Sequence, residues 1–459
     1  MAGRVPEADH LLQQHRGRSQ PERREELTRA ERDELLFEVT EDVTQHVLYD
    51  SFLQAQIIAQ EVERSASRLY AYEDLMTLLE ESRIFDRASE DLPSTEEIGE
   101  RRRSGRGMER PELAILVAYS KRLLARALEQ SDFVEEPWLE RDLREYFPAA
   151  VVTRFGHLLA DHPLKRQLIC MVNSNQVVNS LGPTFVSQLL AERGADAADV
   201  VRAFRIARAV TGADARWEVV ERLESVDKAP QLELMGGVDR LVEEITRWYL
   251  MWEPEGDIEE TIAAGRDGFE RLAAVLGDLG SAERKRRREQ VAERLIGAGV
   301  PEPLARAHAV RPEQRYAPDM VWVAGATGVP IEQVAEVFFA VGAELRLDWI
   351  EGELDRIPAP TRMQRWALQA VREDAAQVRR ELAGSVLAES GGDLEAYLSE
   401  RGAVLRRFMS FLRSLSREGE PDLAGLTLVG SSPLHNAATD GMDVGANVPA
   451  VLAAVSSVQ

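Results

Sequence analysis

The sequence predicts an all-α protein: an irregular multi-helix array with little or no sheet and with disordered N- and C-terminal tails. Three observations predict this class. Leucine, alanine, glutamate and arginine dominate the 459 residues, and these residues lose little side-chain freedom on a helical backbone. Apolar residues recur at helical spacing through most of the chain. The best β-like run, residues 426–429, has no neighbouring strand with which to pair.

The N-terminal part predicts a tail followed by two helices. Residues 1–26 are polar and aperiodic, which is typical of disorder. Order is expected to begin at Thr28, because Thr28 and Glu31 have the spacing of a capping box. The helix that follows carries a one-sided apolar stripe formed by Leu36, Val39, Val43 and Val47. With no glycine or proline to stop it, this helix is expected to reach about residue 65. A second helix is predicted at about 70–87, so that residues 27–91 form a helical passage.

A charged connector and a larger helical domain are predicted next. Residues 92–108 combine turn-forming residues with charged ones and predict the connector. Pro111 then stands in a first helical turn, where its missing N–H costs nothing. The helix that it opens is apolar around most of its circumference and is predicted to be deeply buried. The C-terminal helical domain spans residues 109–425, and residues 426–459 predict a second disordered tail.

The remaining helices follow from apolar periodicity. They are predicted at about 137–146, 148–161, 163–181, 183–193, 196–210, 214–225, 229–252, 257–276, 281–297, 301–309, 330–355, 359–383, 388–398 and 400–416. No internal repeat is visible, so a regular solenoid is not predicted.

Charge and cysteine content restrict the partners and the compartment. The net charge of −23 repels phosphate backbones and anionic lipid, so we expect neither a nucleic acid nor a membrane as partner. Two basic runs, residues 100–106 and 283–289, are interpreted as solvated surface because acidic residues surround them and no aromatic residues are interleaved. The single cysteine, Cys170, is interpreted as a small buried hydrophobe. With no signal peptide and no long apolar span, we expect a cytoplasmic protein.

The sequence shows no constellation that predicts catalysis. A dinucleotide site needs a glycine-rich turn between a strand and a helix, and the nearest match, Gly325 with Gly328, lies between helical segments. His157 and His162 are five residues apart, which favours structural roles over metal ligation. We therefore predict no catalytic, cofactor-binding or metal residue in this chain.

One polar interruption stands out in an otherwise apolar helix. Asn175 and Asn179 are four residues apart and therefore lie on one helix face. Buried amides need hydrogen-bond partners. We interpret the two asparagines as a structural polar clasp to another helix or loop, in preference to a ligand site.

Four segments, taken in order, are distinctive. They are Arg110-Pro-Glu-Leu-Ala-Ile-Leu-Val-Ala-Tyr-Ser-Lys121, the Tyr146-Phe-Pro148 corner, the Asn175-Gln-Val-Val-Asn179 helix, and Phe339-Ala-Val-Gly-Ala343 through Leu347-Asp-Trp349. Together they resemble the C-terminal helical region of the large bacterial NAD-specific glutamate dehydrogenases. The resemblance covers roughly residues 27–425. It departs upstream of residue 27 and after Leu426, where the family-like helix stops.

The resemblance implies a part of an enzyme that oxidises L-glutamate with NAD to 2-oxoglutarate, ammonia and NADH. In that family the chain is far longer, and the nucleotide-binding turn and the substrate lysines precede the region matched here. No family catalytic residue can be placed on this sequence. The resemblance thus implies NAD as the cofactor of the full-length enzyme and no cofactor in this chain.

Our first hypothesis is a fragment or split subunit that supplies the non-catalytic helical assembly region. Its expected partners are the dehydrogenase region of the same enzyme and further copies in a homo-oligomer. One alternative is a helical interaction scaffold without dehydrogenase activity. Another is a complete enzyme with an unrecognised site, which would require a parallel nucleotide-binding sheet.

Overall fold

The protein is described by a computed structural model that covers residues 27–252, 257–345, 347–354 and 362–399. Within these ranges helices are joined by turns and there is no strand, which confirms the predicted all-α class. Several predicted segments lie outside the described residues: the tails at 1–26 and 426–459, the helix at 400–416 and the β-like run at 426–429.

The first half of the described chain contains ten helices, numbered in chain order. They are α1 (Arg29–Ser65), α2 (Leu69–Glu81), α3 (Thr95–Ser104), α4 (Arg110–Glu129), α5 (Glu140–Tyr146), α6 (Ala149–Phe155), α7 (Lys165–Leu181), α8 (Phe185–Arg193), α9 (Ala197–Thr211) and α10 (Ala213–Glu221).

Nine numbered helices follow in the rest of the described chain. They are α11 (Lys228–Trp252), α12 (Ile258–Val275), α13 (Ala282–Gly297), α14 (Glu302–Ala309), α15 (Arg311–Gln314), α16 (Ala317–Thr327), α17 (Ile331–Glu344), α18 (Leu347–Leu354) and α19 (Arg362–Ser390). Residues 394–399 are helical as well.

The predicted start of α1 is confirmed. The Thr28 backbone N–H donates to Glu31 Oε2 at 2.8 Å, and the Glu31 N–H donates to Thr28 Oγ1 at 3.3 Å. These reciprocal bonds satisfy two of the donors that every helix start leaves free. The helix continues to Ser65, as its lack of glycine and proline predicts.

The described residues form two compact units. The smaller unit contains the described chain as far as Phe52 together with Trp138–Lys165. In it, the His162 ring meets the Phe147 ring edge-on at 5.4 Å, and His162 Nδ1 accepts the Leu164 N–H at 3.2 Å. Both contacts are made within this unit, and the structural role of His162 stays a prediction.

The larger unit contains Leu53–Pro137 and the described residues from Arg166 onward. Its helix α9 packs against both α11 and α12. Val200, Phe204 and Ala207 of α9 are completely buried, because a helix between two others has little surface left for solvent. A separate aromatic group, Tyr316 with Phe338 and Phe339, has ring centroids 5.5 to 6.3 Å apart.

The predicted connector at 92–108 contains a helix, α3. The Ser94 N–H donates to Glu97 Oε2 at 2.7 Å and the Glu97 N–H donates to Ser94 Oγ at 3.3 Å, which makes a second capping box. Gly105 ends the helix with a φ of 68°. The Ser94–Glu97 spacing and Gly105 were both visible in the sequence, but the segment was interpreted as a connector because of its high charge.

We expect Ser94→Ala to lower the free energy of unfolding by about 1 kcal/mol, because the first turn of α3 loses its side-chain acceptor. Urea unfolding followed by circular dichroism measures the change. Ser104→Ala, at the exposed end of the same helix, is the matched control. Equal losses in the two variants would show that the capping box contributes nothing.

Prolines account for two helices that the sequence analysis missed. Pro312 and Pro318 stand in the first turns of α15 and α16, where the missing N–H is not needed by the helix. No helix was predicted between residues 309 and 330. The predicted helix at 330–355 is in fact two helices, α17 and α18. Helix α19 runs to Ser390 instead of ending near residue 383.

Helix α4 is less deeply buried than its composition suggests. Leu113, Val117 and Leu124 are buried, whereas Ala114 and Ala118 are exposed. The prediction of burial around most of the circumference was therefore wrong. Alanine favours the helix through its backbone propensity and does not require an apolar environment.

Candidate functional site

The predicted asparagine pair lies on α7. Asn175 and Asn179 are both half-buried, and Oδ1 of Asn179 has no hydrogen-bond partner among the described residues. The neighbouring Asn173 is completely buried, and its Nδ2 donates to Ile169 O at 2.9 Å within the same helix. A clasp to another element through Asn175 and Asn179 stays a prediction.

The other residues weighed from sequence have structural surroundings. Cys170 is buried, and burial raises the pKa of its thiol to about 12, so the thiolate that nucleophilic chemistry needs is disfavoured. Gly325 lies within α16, and Gly328 ends that helix with a φ of 69°. In the described ranges no three His, Cys, Asp or Glu side chains are grouped so as to hold a metal ion. No described helix has the length and apolar composition of a bilayer span.

The first half of α1 carries an exposed apolar surface. Leu36, Val43 and Val47 of the predicted stripe are 54%, 43% and 59% exposed. Phe37 and Leu48 beside them are 70% and 60% exposed. Full burial of a large apolar side chain is favourable by about 1.5–3 kcal/mol of free energy. A group of exposed apolar side chains is therefore typical of a protein-binding surface. We call these five residues the α1 stripe.

A second candidate site is a buried set of ion pairs in the larger unit. Four arginines and three carboxylates form one connected network, which we call the arginine network: Arg284, Arg288, Arg315, Arg379, Glu313, Asp348 and Glu351. These side chains come from α13, α15, α18, α19 and the turn before α16. The network therefore ties together helices that are distant in sequence.

The two carboxylates of α18 occupy the centre of the network. Asp348 Oδ1 accepts hydrogen bonds from Arg284 Nη2 and Arg379 Nη2, each at 2.8 Å. Glu351 Oε2 accepts from Arg284 Nη2 at 3.1 Å and from Arg315 Nη2 at 2.9 Å. Glu351 Oε1 accepts from Arg379 Nη2 at 3.2 Å. Such charge-assisted bonds are stronger than bonds between neutral groups.

The positive surroundings keep Glu351 ionised. Burial raises the pKa of this carboxyl, but Arg379, Arg315 and Arg284 together have the larger effect and lower the pKa to about 2. The charges therefore persist at neutral pH although the Glu351 side chain is only 11% exposed. Loss of one member would leave its partners as buried, uncompensated charges.

Arg379 is held by shape as well as by charge. Its side chain is completely buried, and its Cζ lies 4.8 Å from the ring centroid of Tyr316 and 5.4 Å from that of Phe338. On α17, Gly342 leaves the space that the guanidinium fills, because a Cβ at this glycine would come within 2.7 Å of Arg379 Cζ. The Arg379 guanidinium thus packs against two rings of the aromatic group while it makes its ion pairs.

The network was not predicted, because the basic run 283–289 was interpreted as a solvated surface. Arg287 is indeed exposed, but Arg284 and Arg288 point inward with Ala292 and Leu295. The spacing of four residues, continued by two apolar residues, was the available signal. The run 100–106 was misjudged in the same way, since Arg101 makes two hydrogen bonds of 2.6 Å to Glu112.

A separate buried acid lies on α11. Asp239 is only 3% exposed, and its Oδ1 has no hydrogen-bond partner among the described residues. Burial raises the pKa of this carboxyl to about 7, although Arg64 opposes the shift. Nearby, the completely buried Glu61 accepts a short hydrogen bond from the Tyr72 hydroxyl. A carboxyl that titrates near neutrality makes stability depend on pH.

With this geometry established, comparisons with known proteins identify the relatives of the chain. A sequence model of the family "Glutamate dehydrogenase, C-terminal" matches residues 105–432. The match continues past Leu426, where the resemblance was expected to stop.

Individual relatives agree with the family match. The chain is 33% identical over 374 residues to the NAD-specific glutamate dehydrogenase of Halomonas elongata, which covers 80% of this chain and 23% of the relative. The NAD-specific glutamate dehydrogenase of Pseudomonas aeruginosa is 31% identical over 407 residues, 87% of this chain and 25% of the relative. The NAD-specific glutamate dehydrogenase of Mycobacterium tuberculosis is 26% identical over 430 residues, which cover 90% of this chain and 26% of the relative.

These matches confirm the resemblance seen in the sequence, and the chain spans about a quarter of the length of the relatives it matches. The family match covers more than half of the 459 residues. The chain therefore belongs to the family defined by the C-terminal region of glutamate dehydrogenase.

Proposed function

We propose that this chain supplies the helical assembly region of an NAD-specific glutamate dehydrogenase. In this role it packs against the dehydrogenase region, as a split subunit or as a fragment of one longer polypeptide. NAD and glutamate bind to the dehydrogenase region, and this chain stabilises the assembly. Membership of the family and the named activity of the relatives support the proposal.

The observation that carries the proposal is the α1 stripe. Five large apolar side chains remain exposed on the first half of α1, in a segment that precedes the residues matched by the family model. Burial of such side chains against another polypeptide would contribute several kcal/mol to association. The helix is therefore suited to packing against the dehydrogenase region.

Charge makes the dehydrogenase region a better occupant of this surface than the same helix of a second copy. Residues 29–52 contain seven carboxylates and two arginines. Two such helices placed face to face would bring like charges together, which opposes association. The partner surface should be apolar with a basic rim. The predicted homo-oligomer would then form through other surfaces.

We expect the full chain to co-elute with the dehydrogenase region of an NAD-specific glutamate dehydrogenase, expressed as a separate polypeptide, and Val47→Glu to weaken this association about tenfold or more. The reason is that the interface would have to bury an unpaired carboxylate. Co-expression followed by size-exclusion chromatography and a binding titration measures the effect. The mass of the complex also tests the homo-oligomer.

Gln45→Glu is the matched control, because residue 45 lies on the side of the helix opposite Val47 and the change adds the same charge. It should leave the affinity unchanged. Separate elution of the two polypeptides at micromolar concentration would contradict the proposal, as would an equal loss in the control. A neighbouring gene unrelated to dehydrogenases would favour the interaction scaffold.

A further inference from the structure

A cavity borders the arginine network on one side. It has a volume of about 440 Å³ and lies between α13, α15 and α18. Arg284, Arg288, Arg315, Glu313, Asp348 and Glu351 of the network contribute to its lining. This volume falls within the range of known small-molecule sites, about 300–1,000 Å³. It is larger than a single water molecule or ion requires.

Charged side chains of both signs line the cavity. Its described lining contains four guanidinium groups and four carboxylates: Arg284, Arg287, Arg288, Arg315, Glu283, Glu313, Asp348 and Glu351. Glu244 lies a further 3.9 Å from Arg315 Nη1. The described lining therefore carries no excess charge, and what distinguishes it is a set of buried polar atoms without hydrogen-bond partners.

Three hydrogen-bond donors at the cavity are unfilled. Arg284 Nε, Arg315 Nε and Arg288 Nη1 are buried and have no hydrogen-bond partner among the described residues. Arg288 Nη1 lies 3.1 Å from Glu313 Oε1, but the two atoms are not aligned for a hydrogen bond. The other nitrogen, Nη2, donates to Gly277 O at 3.0 Å and to Leu279 O at 2.7 Å. These two bonds fix the guanidinium in place.

We propose that this cavity binds a small metabolite through an oxyanion, a carboxylate or a phosphate group, which the guanidinium groups of Arg284, Arg288 and Arg315 hold. The oxyanion supplies the missing acceptors for these donors. Glu313 Oε2 and Asp348 Oδ2 are buried acceptors that have no hydrogen-bond partner in the described part of the chain. A hydroxyl or ammonium group on the rest of the ligand, or cavity water, would satisfy them.

The ion pair at the cavity rim provides a sharp test. Arg287 and Glu283 both line the cavity, and their side chains are 56% and 63% exposed. Neither is needed for the core, so Arg287→Gln and Glu283→Gln should fold normally. The two variants change the charge at the rim in opposite directions by one unit. An anion site must respond with opposite changes in affinity.

The experiment is calorimetric titration of the full chain at low ionic strength with sodium malonate, with inorganic phosphate and with sodium chloride. We expect saturable binding of malonate or phosphate and none of chloride. Arg287→Gln should weaken it about threefold, and Glu283→Gln should leave it unchanged or strengthen it. Arg288→Gln should weaken binding about tenfold through loss of a buried donor.

Saturation by malonate alone would assign a carboxylate ligand, and saturation by phosphate alone a phosphorylated one. The absence of saturation with both anions would overturn the proposal. Changes in the same direction for the two rim variants would also overturn it. The titration needs no dehydrogenase polypeptide, so its outcome is independent of the assembly role proposed above.

Discussion

Glu351→Gln is expected to lower the free energy of unfolding by about 3–5 kcal/mol, because the buried Arg379 and the half-buried Arg284 and Arg315 lose a shared counter-charge. Glu351 accepts hydrogen bonds from Arg284, Arg315 and Arg379. Glutamine preserves the shape of the side chain and removes only the charge. Among the seven network residues, the substitution leaves two carboxylates for four guanidinium groups. Urea unfolding of the full chain at pH 7 measures the loss.

An exposed ion pair supplies the control for this variant. Glu289 pairs with Arg306 at 2.9 Å, and the two side chains are 49% and 50% exposed. Glu289→Gln should change the free energy of unfolding by less than about 1 kcal/mol, because water screens the pair. If the two substitutions cost the same, the buried network does not hold the helices together through its charges.

Asp239→Asn is expected to make the protein more stable at pH 8 and to have a much smaller effect at pH 5. Burial raises the pKa of Asp239 in the folded protein to about 7, whereas an unfolded aspartate has a pKa of about 3.9. Between these two values the folded state binds a proton that the unfolded state does not. The contribution of Asp239 to the stability of the wild type therefore falls as the pH rises from about 4 to 7.

The difference in unfolding free energy between Asp239→Asn and the wild type should grow by about 3 kcal/mol from pH 5 to pH 8. Below pH 4 the protonated carboxyl and the amide are nearly equivalent, so the difference should vanish. Asp267→Asn, at a side chain that is 71% exposed, controls for the general loss of a surface carboxylate. A pH-independent difference would show that Asp239 is not a buried acid that titrates near neutrality.

Local signals predicted the helical elements well where composition and capping agreed. Thr28 and Glu31 marked the start of α1 correctly, and its end at Ser65 followed from the absence of breaking residues. The helix starts at Pro312 and Pro318 were missed, although the same signal was recognised at Pro111. A proline ends a helix or begins one according to whether its N–H would have been needed. Apolar periodicity does not decide between these two cases.

The candidate sites depended on long-range contacts that the sequence does not display. Leu36, Val43 and Val47 of the α1 stripe were visible as a pattern, whereas Phe37 and Leu48 were not, and the exposure of all five depends on the folded structure. In the arginine network, Arg284 and Arg379 are almost a hundred residues apart, yet both donate to Asp348 Oδ1. The sequence shows that these residues are charged, and only the folded arrangement shows that they are buried together. The run at 283–289 contained inward-facing and outward-facing arginines side by side.

The absence of a side chain at Gly342 has a consequence for substitutions at this position. Gly342 sits inside an apolar helix, where alanine would ordinarily be the better residue by about 1 kcal/mol. Here a single methyl group would meet the guanidinium of Arg379 and push it away from Asp348 and Glu351. A substitution that looks conservative, and that changes no charge, would thus disrupt ion pairs of the arginine network that are made by other helices. The missing side chain is as much a component of that network as the carboxylates are.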